Sequence, residues 1–302
     1  MRKIITNLSG WEKTDNKTYA ECHELYGSSF INNPETLEFL HDRLPCYPEY
    51  YVRHDNNGIK LGAFCTWKGR YLAGEQSISN EIGNNYPFSK DELILPLHPK
   101  LVSVIPYKTK HLSSIHRLNV INSTFKFNSN RGICISKGCG LDGFSSKTKN
   151  RRNNELHRFL NAGGKVIDQS LFSPGELTEI FTELYENRWG HHIKNTSFIL
   201  DSLENLRHLF FGFVLFFNEK PCAFQLITKS ESPCWINFDY INGGYNQTQK
   251  SFCPGTIVTW LNVKSAYELC MLQGKEMRYS FGRPTAEYKN RWCRTEPLGR
   301  VY

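Results

Sequence analysis

Between Cys234 and Cys293 the chain carries residues that could hold a phosphate and act on a nearby proton. Ser251-Phe-Cys-Pro-Gly-Thr256 sets Pro254 and Gly255 where a helix would begin. Proline suits a first turn because its missing N–H would have no intrahelical partner, and Ser251 can cap. A strand leading through a Gly-containing turn into a helix gathers backbone N–H groups at the positive end of a helix dipole, which suits an anion. An ordinary strand-turn-helix unit meets the same description. Asp239 stands mid-strand in a run from 234 to 241, where an unpaired carboxylate is costly to bury. It therefore either binds an amine or serves as a general base, or it pairs with Arg278 or Arg283. Upstream, a helix over 146–160 brings Lys147, Arg151, Glu155 and Arg158 to one face. Arg151 and Arg152 could clamp a phosphate with their planar forks, or the face is solvated and braced by Glu155. Cys253 could act as a nucleophile only with a general base, and none stands at a recognisable spacing.

These residues need elements to position them. Aromatic and β-branched alternation predicts a strand over 234–241, ended by Asn242-Gly-Gly244. Helical spacing predicts a helix over 257–272, stopped by Gly274. A short strand over 276–281, the break Gly282-Arg-Pro284 and a helix starting at Thr285 follow. That last helix would carry Tyr288, Lys289, Arg291 and Trp292. A hairpin over 213–217 and 221–228 comes before, around Asn218-Glu-Lys220. Further upstream, Lys165 to Asp168 reads as a strand, and Ser173 and Glu176 have capping-box spacing for a helix through Trp189. The N-terminal part reads as mixed α/β, with helices over 19–25 and 34–40 and a hairpin over 49–54 and 59–68 that turns at Asp55-Asn-Asn-Gly58. Pro, Asn and Gly from 83 to 106 predict loops over a thin scaffold.

The chain has 302 residues, enough for two domains. Its charge is uneven: from Lys100 to Arg158 twelve Lys and Arg face only Asp142 and Glu155, while the whole chain carries +8. Such a segment implies a polyanion: cofactor phosphate, nucleic acid or an anionic membrane leaflet. No helix-turn-helix pair is visible, which argues against a conventional DNA reader. The ten cysteines lack metal spacing, so no metal is expected and they read as reduced thiols. No run reaches the roughly 20 apolar residues of a membrane span.

The order of features from about 145 to 297 resembles the GNAT superfamily of acyl-CoA N-acyltransferases, in particular its tandem FemABX-like branch. The carriers are the hairpin, the aromatic strand with Asp239 and Gly243-Gly-Tyr245, the Cys253-Pro-Gly255 helix start, Phe281-Gly282 and Tyr288-Lys289. Over its whole length the chain resembles the Mig family of macrophage-inducible enterobacterial virulence proteins, linked to resistance against cationic antimicrobial peptides. The resemblance implies an α/β (α+β) fold of two GNAT-like domains: a degenerate one over 1–144, and one over 145–302 that holds the acyl-donor site. It implies acyl-CoA, such as acetyl-CoA, or aminoacyl-tRNA as donor, and an amine acceptor. Backbone N–H groups of Cys253, Gly255 and Thr256 would then hold pyrophosphate, and the strand over 235–240 the thioester carbonyl. Tyr288 would protonate the departing thiolate, and Lys289 would offset developing negative charge. Adjacent residues of a helix point about 100° apart, so at most one of these two faces a cleft squarely. Two departures stand out: Gln249-x-x-x-x-Pro-Gly replaces the usual phosphate signature, and Arg278-Tyr-Ser-Phe281 lacks the acidic residue of many relatives. The expected location is cytoplasmic, with peripheral contact at the inner face of the inner membrane. The competing expectation is a non-catalytic regulator that binds nucleic acid or membrane through the 100–158 segment.

Overall fold

The structure is a computed structural model that describes residues 9–83, 86–125, 131–247 and 252–302. Lys126, Gln249 and the expected cap Ser251 lie outside the described residues. The chain begins β1 (Glu12–Thr14), α1 (Asn16–Tyr26), α2 (Pro34–His41), β2 (Pro48–His54), β3 (Lys60–Trp67), β4 (Tyr71–Leu72), α3 (Ser79–Ile82) and β5 (Thr109–Leu112). Asp15 caps α1 by accepting from Thr18 N–H, and Asn33 caps α2 ahead of Pro34. Strands β1 to β4 pair antiparallel in chain order. Asp55 closes the β2-β3 turn by accepting from the N–H groups of Asn57 and Ile59. The stretch from 86 to 106 is largely irregular, yet Leu93, Leu95 and Ile105 are buried in the core, so the scaffold beneath it is not thin.

There follow β6 (Gly132–Ser136), α4 (Ser146–Asn161), β7 (Lys165–Asp168), α5 (Pro174–Trp189), α6 (Thr196–Asn205), β8 (Phe210–Phe211) and β9 (Phe213–Phe217). Then come β10 (Lys220–Glu231), β11 (Trp235–Tyr245), α7 (Pro254–Leu272), β12 (Glu276–Ser280), α8 (Lys289–Trp292), β13 (Cys293–Pro297) and β14 (Gly299–Val301). The fold is mixed α/β. An eight-stranded sheet runs β13-β6-β12-β11-β10-β9-β7, with β8 beside β10. Helix α7 lies on this sheet, and its Trp260, Val263 and Ala266 join Phe238 and Tyr279 in one apolar cluster. The capping box of Ser173 and Glu176 opens α5.

Two elements differ from the sequence reading. Strand β11 does not stop at Asn242-Gly-Gly244 but runs through it to Tyr245. Neither glycine has a positive φ. A Cβ on Gly244 would stand 2.1 Å from the backbone carbon of Leu184, so this glycine lets α5 press on the sheet. The helix expected from Thr285 is a single turn, α8, because Cys293 must enter β13 and pair with Ser136.

Strands cross residue 144 in both directions. β6, which precedes it, lies between β12 and β13, and β14 returns to pair with β5. Aromatic contacts also join the two parts of the chain, with Phe30 against Phe210 at 6.2 Å and Phe39 against Phe198 at 5.6 Å between ring centroids.

Candidate functional site

Strand β11 pairs in parallel with β12 from Trp235 opposite Glu276 to Asp239 opposite Ser280. Beyond that point the two part. The chain after β12 turns at Gly282, whose φ is 70°, while β11 continues along β10 across a bulge that leaves Ile241 unpaired. The end of β11, the start of α7 and α8 enclose a cavity of about 490 Å³.

Its floor is the first turn of α7. Cys253, the residue before the helix, adopts φ 52° and ψ 55°, and its side chain makes no capping hydrogen bond. Thr256 N–H turns back to Cys253 O at 2.8 Å. A Cβ on Gly255 would lie 2.9 Å from the Tyr245 ring, so the glycine admits that ring beside the helix start. The turn is held from below: Thr259 Oγ1 donates to Gly255 O at 2.7 Å and accepts from Gln225 Nε2 at 2.8 Å. Gln225 in turn accepts from Asn262 Nδ2 at 2.9 Å. All three side chains are buried, and this satisfied network fixes the turn on the sheet.

Arg152, Arg291, Tyr288 and Trp292 form the walls. Arg152 Nη1 donates to Glu155 at 2.6 Å, and its guanidinium lies 5.2 Å from the Trp292 ring centre. Burial works to raise the Glu155 carboxyl, but hydrogen bonds from Arg152 and Arg151 outweigh it and hold the group below the usual range. Arg151 is exposed, bonds Glu155 at 3.0 Å and does not line the cavity. Burial, with the Tyr240 phenol nearby, pushes the Tyr288 hydroxyl up to about 12 against the lowering effect of Arg188. Tyr288 therefore holds its proton at neutral pH. Arg188 is fixed by donating to Gly243 O at 2.8 Å and to the Tyr240 hydroxyl at 3.3 Å.

The remaining candidates point elsewhere. Lys289 turns away from Tyr288 and donates its ammonium to Phe281 O at 2.7 Å and Arg283 O at 2.6 Å, pinning the turn that follows β12. Asp239 is 5% exposed and shares its sheet face with Asn237, which donates to it at 2.9 Å. Neither expected arginine pairs with it: Arg278 bonds Glu92 and Glu296, and Arg283 bonds Asp91. Burial, with Glu92 nearby, pushes the Asp239 carboxyl up to about 8. It does not line the cavity.

The structure thus brings Cys253, Gly255, Thr256, Arg152 and Tyr288 together and leaves Arg151, Lys289 and Asp239 outside. Tyr245, Arg291 and Trp292, which the sequence analysis named only as parts of their elements, join them. Arg291 is three residues beyond Tyr288, a spacing that marks a shared helical side. No carboxylate or imidazole among the described residues lines the cavity, so Cys253 has no general base there. The donor set of two guanidiniums at a helix N-terminus fits a phosphate-bearing group. Among the described residues no group of three or more His, Cys, Asp or Glu could hold a metal ion. None of the described helices is long and apolar enough to cross a membrane. None of the ten cysteines is in a disulfide, and most are buried.

A solved structure described as a tandem GNAT protein from the clavulanic acid biosynthesis pathway (without AcCoA) aligns with a TM-score of 0.35 at 8% identity. The alignment covers 85% of this chain and 81% of that one. No curated protein matches the sequence. The model of the Mig-14 family matches residues 33–301, and the chain therefore belongs to the Mig-14 family.

Proposed function

We propose that the cavity at the start of α7 is the donor site of an N-acyltransferase of tandem GNAT-like build, with its N-terminal unit degenerate. The observation that carries this reading is the joining, in about 490 Å³, of a 19-residue helix's first turn, two guanidiniums and a protonated phenol, with no acid among the described residues of the wall. Acyl-CoA, when bound, would supply the thioester. Arg152 and Arg291 would hold its phosphates, together with the backbone N–H of Gly255, while Thr256 N–H is spent on Cys253 O. Tyr288 keeps a proton on its phenolic oxygen for a departing thiolate, and Arg188 and Tyr240 orient it. The acceptor would be an amine of a peptide or cell-envelope substrate, in keeping with the resemblance to proteins of antimicrobial-peptide resistance. Isothermal titration calorimetry with CoA and acetyl-CoA tests the site. We expect saturable binding that weakens about tenfold in Arg291→Gln, the loss typical of one charge-assisted contact. No heat with either compound at low salt would end this reading. Gly255 is a poor position for the test, because any side chain there strikes Tyr245.

A second reading, contact with an anionic membrane at the inner face of the inner membrane, is favoured by one patch. Val102, Leu118 and Ile121 are exposed beside Lys100 and Arg117, and the pairing of Ser103 with Val120 brings these segments together. Each well-placed basic residue adds about 1 kcal/mol at an anionic surface. Sedimentation with phosphatidylserine vesicles should show attachment that falls as salt rises, and attachment to neutral vesicles alone would contradict it.

A further inference from the structure

A separate cavity of about 420 Å³ lies between His111 of β5, Arg131 and Gly132 at the start of β6, and Arg283, Pro284 and Thr285 after β12. Its chemistry begins with Glu75, a buried carboxylate at 1% exposure. Glu75 accepts from Ser77 Oγ and Thr109 Oγ1 at 2.7 Å each, from Lys110 N–H at 2.9 Å and from His111 Nδ1 at 3.3 Å. These donors outweigh burial and hold its carboxyl well below the usual range. With Nδ1 donating to Glu75, the Nε2 lone pair of His111 is left to accept, and Arg131 Nη1 donates to it at 2.6 Å.

Arg131 is thereby held by a ring nitrogen and not by a carboxylate. Among the described residues no carboxylate pairs with it, and the residues outside that description include no Asp or Glu. A half-buried guanidinium without a counter-ion costs free energy unless an anion completes it. Arg283 stands on the same cavity, aimed by Asp91 at 2.8 Å and by Gln76, and Thr285 adds a hydroxyl. Among the described residues no acidic side chain lines the space, whose size is within the roughly 300–1,000 Å³ of small-ligand sites.

We propose that this cavity binds a small oxyanion, a phosphate or carboxylate group, on Arg131 and Arg283, with Glu75 and His111 as positioning residues. Calorimetric titration of the full chain with inorganic phosphate and, separately, with succinate tests it and tells the two chemistries apart. We expect one of them to bind with a stoichiometry of one in an Arg291→Gln background, which weakens the cavity at α7, and about tenfold more weakly once Arg131→Gln or Thr285→Val is added. Circular dichroism of each variant controls for folding. Arg131→Lys keeps the charge but loses the fork, and should fall between wild type and Arg131→Gln. The proposal is overturned if neither anion binds the wild type at concentrations up to about 10 mM, or if a folded Arg131→Gln binds as wild type. Loss in Arg291→Gln alone would move the anion to the cavity at α7 and equally refute it.

Discussion

Tyr288 and Lys289 are neighbours in sequence, yet their side chains serve different places. The phenol faces the cavity at α7, while the ammonium is spent on two backbone carbonyls. If Tyr288 gives a proton to a thiolate, Tyr288→Phe should lower acyl transfer by about 10²- to 10⁴-fold with cofactor affinity nearly unchanged. Lys289→Met should instead lower stability, because two carbonyls lose their donor. Steady-state kinetics beside thermal melting separates these outcomes. Asp239 gives a third residue-scale expectation. Its carboxyl is raised to about 8 from 3.8, so the folded state holds a proton that the unfolded chain has released. The stability this confers is full below the unfolded value and is lost as pH rises through about 8. Asp239→Asn should therefore be more stable than wild type by roughly 1–3 kcal/mol at pH 9, with little difference at pH 4. Urea melts at the two pH values measure this, and an equal effect at both would contradict it.

At the scale of elements, two glycines have opposite roles. A methyl at Gly244 would meet the backbone of Leu184 and Tyr185, whereas one at Gly175, in the first turn of α5, meets nothing within 4 Å. Gly244→Ala should cost about 1–3 kcal/mol or more through overpacking. Gly175→Ala should add about 0.4–1 kcal/mol by restricting the unfolded chain. Denaturant midpoints of the two variants should move in opposite directions. The same pair explains what the sequence could reveal. The capping box of Ser173 and Glu176, the turn at Asp55 and the strand from Lys165 to Asp168 are written in adjacent residues, and they form where local signals put them. Asn242-Gly-Gly244 reads as a stop because glycine permits positive φ, but here its use is a missing Cβ, and the partner that requires it is some sixty positions upstream. Strands β6 and β13 pair with each other across the chain, a partnership that no local signal writes. In the site, residues 253–256 are legible as a helix start, while Tyr245, Arg291 and Trp292 become neighbours only when β12 leaves β11.

For the whole molecule, buried histidines govern behaviour in acid. Burial pushes His23 and His41 down to about 4 and His116 to about 3. Trp67 donates to His41 Nε2 and Leu95 N–H to His116 Nε2, both at 2.9 Å, so each ring must keep that nitrogen unprotonated. Depressed values mean that stability is fully present above about 6.5 and is lost as pH falls towards 4. Unfolding free energy should drop by roughly 3–6 kcal/mol between pH 7 and pH 4.5, partly offset by Asp239. A flat profile over that window would show that the three rings are solvated. Because β6 and β14 tie both parts of the chain together, the loss should occur in one transition.

The exchange of strands also bears on how the protein is made. β5 and β6 emerge from the ribosome while their partners in β12, β13 and β14 are still unsynthesised. Roughly 160 residues separate β6 from β13, a wait of about 8–30 s at ordinary rates of elongation. Through that interval Ile133, Cys134 and Ile135, all buried in the finished protein, must stay uncovered on an open edge. A nascent chain arrested before residue 293 should therefore be a ready client for holding chaperones, and one extended past Val301 should be released from them.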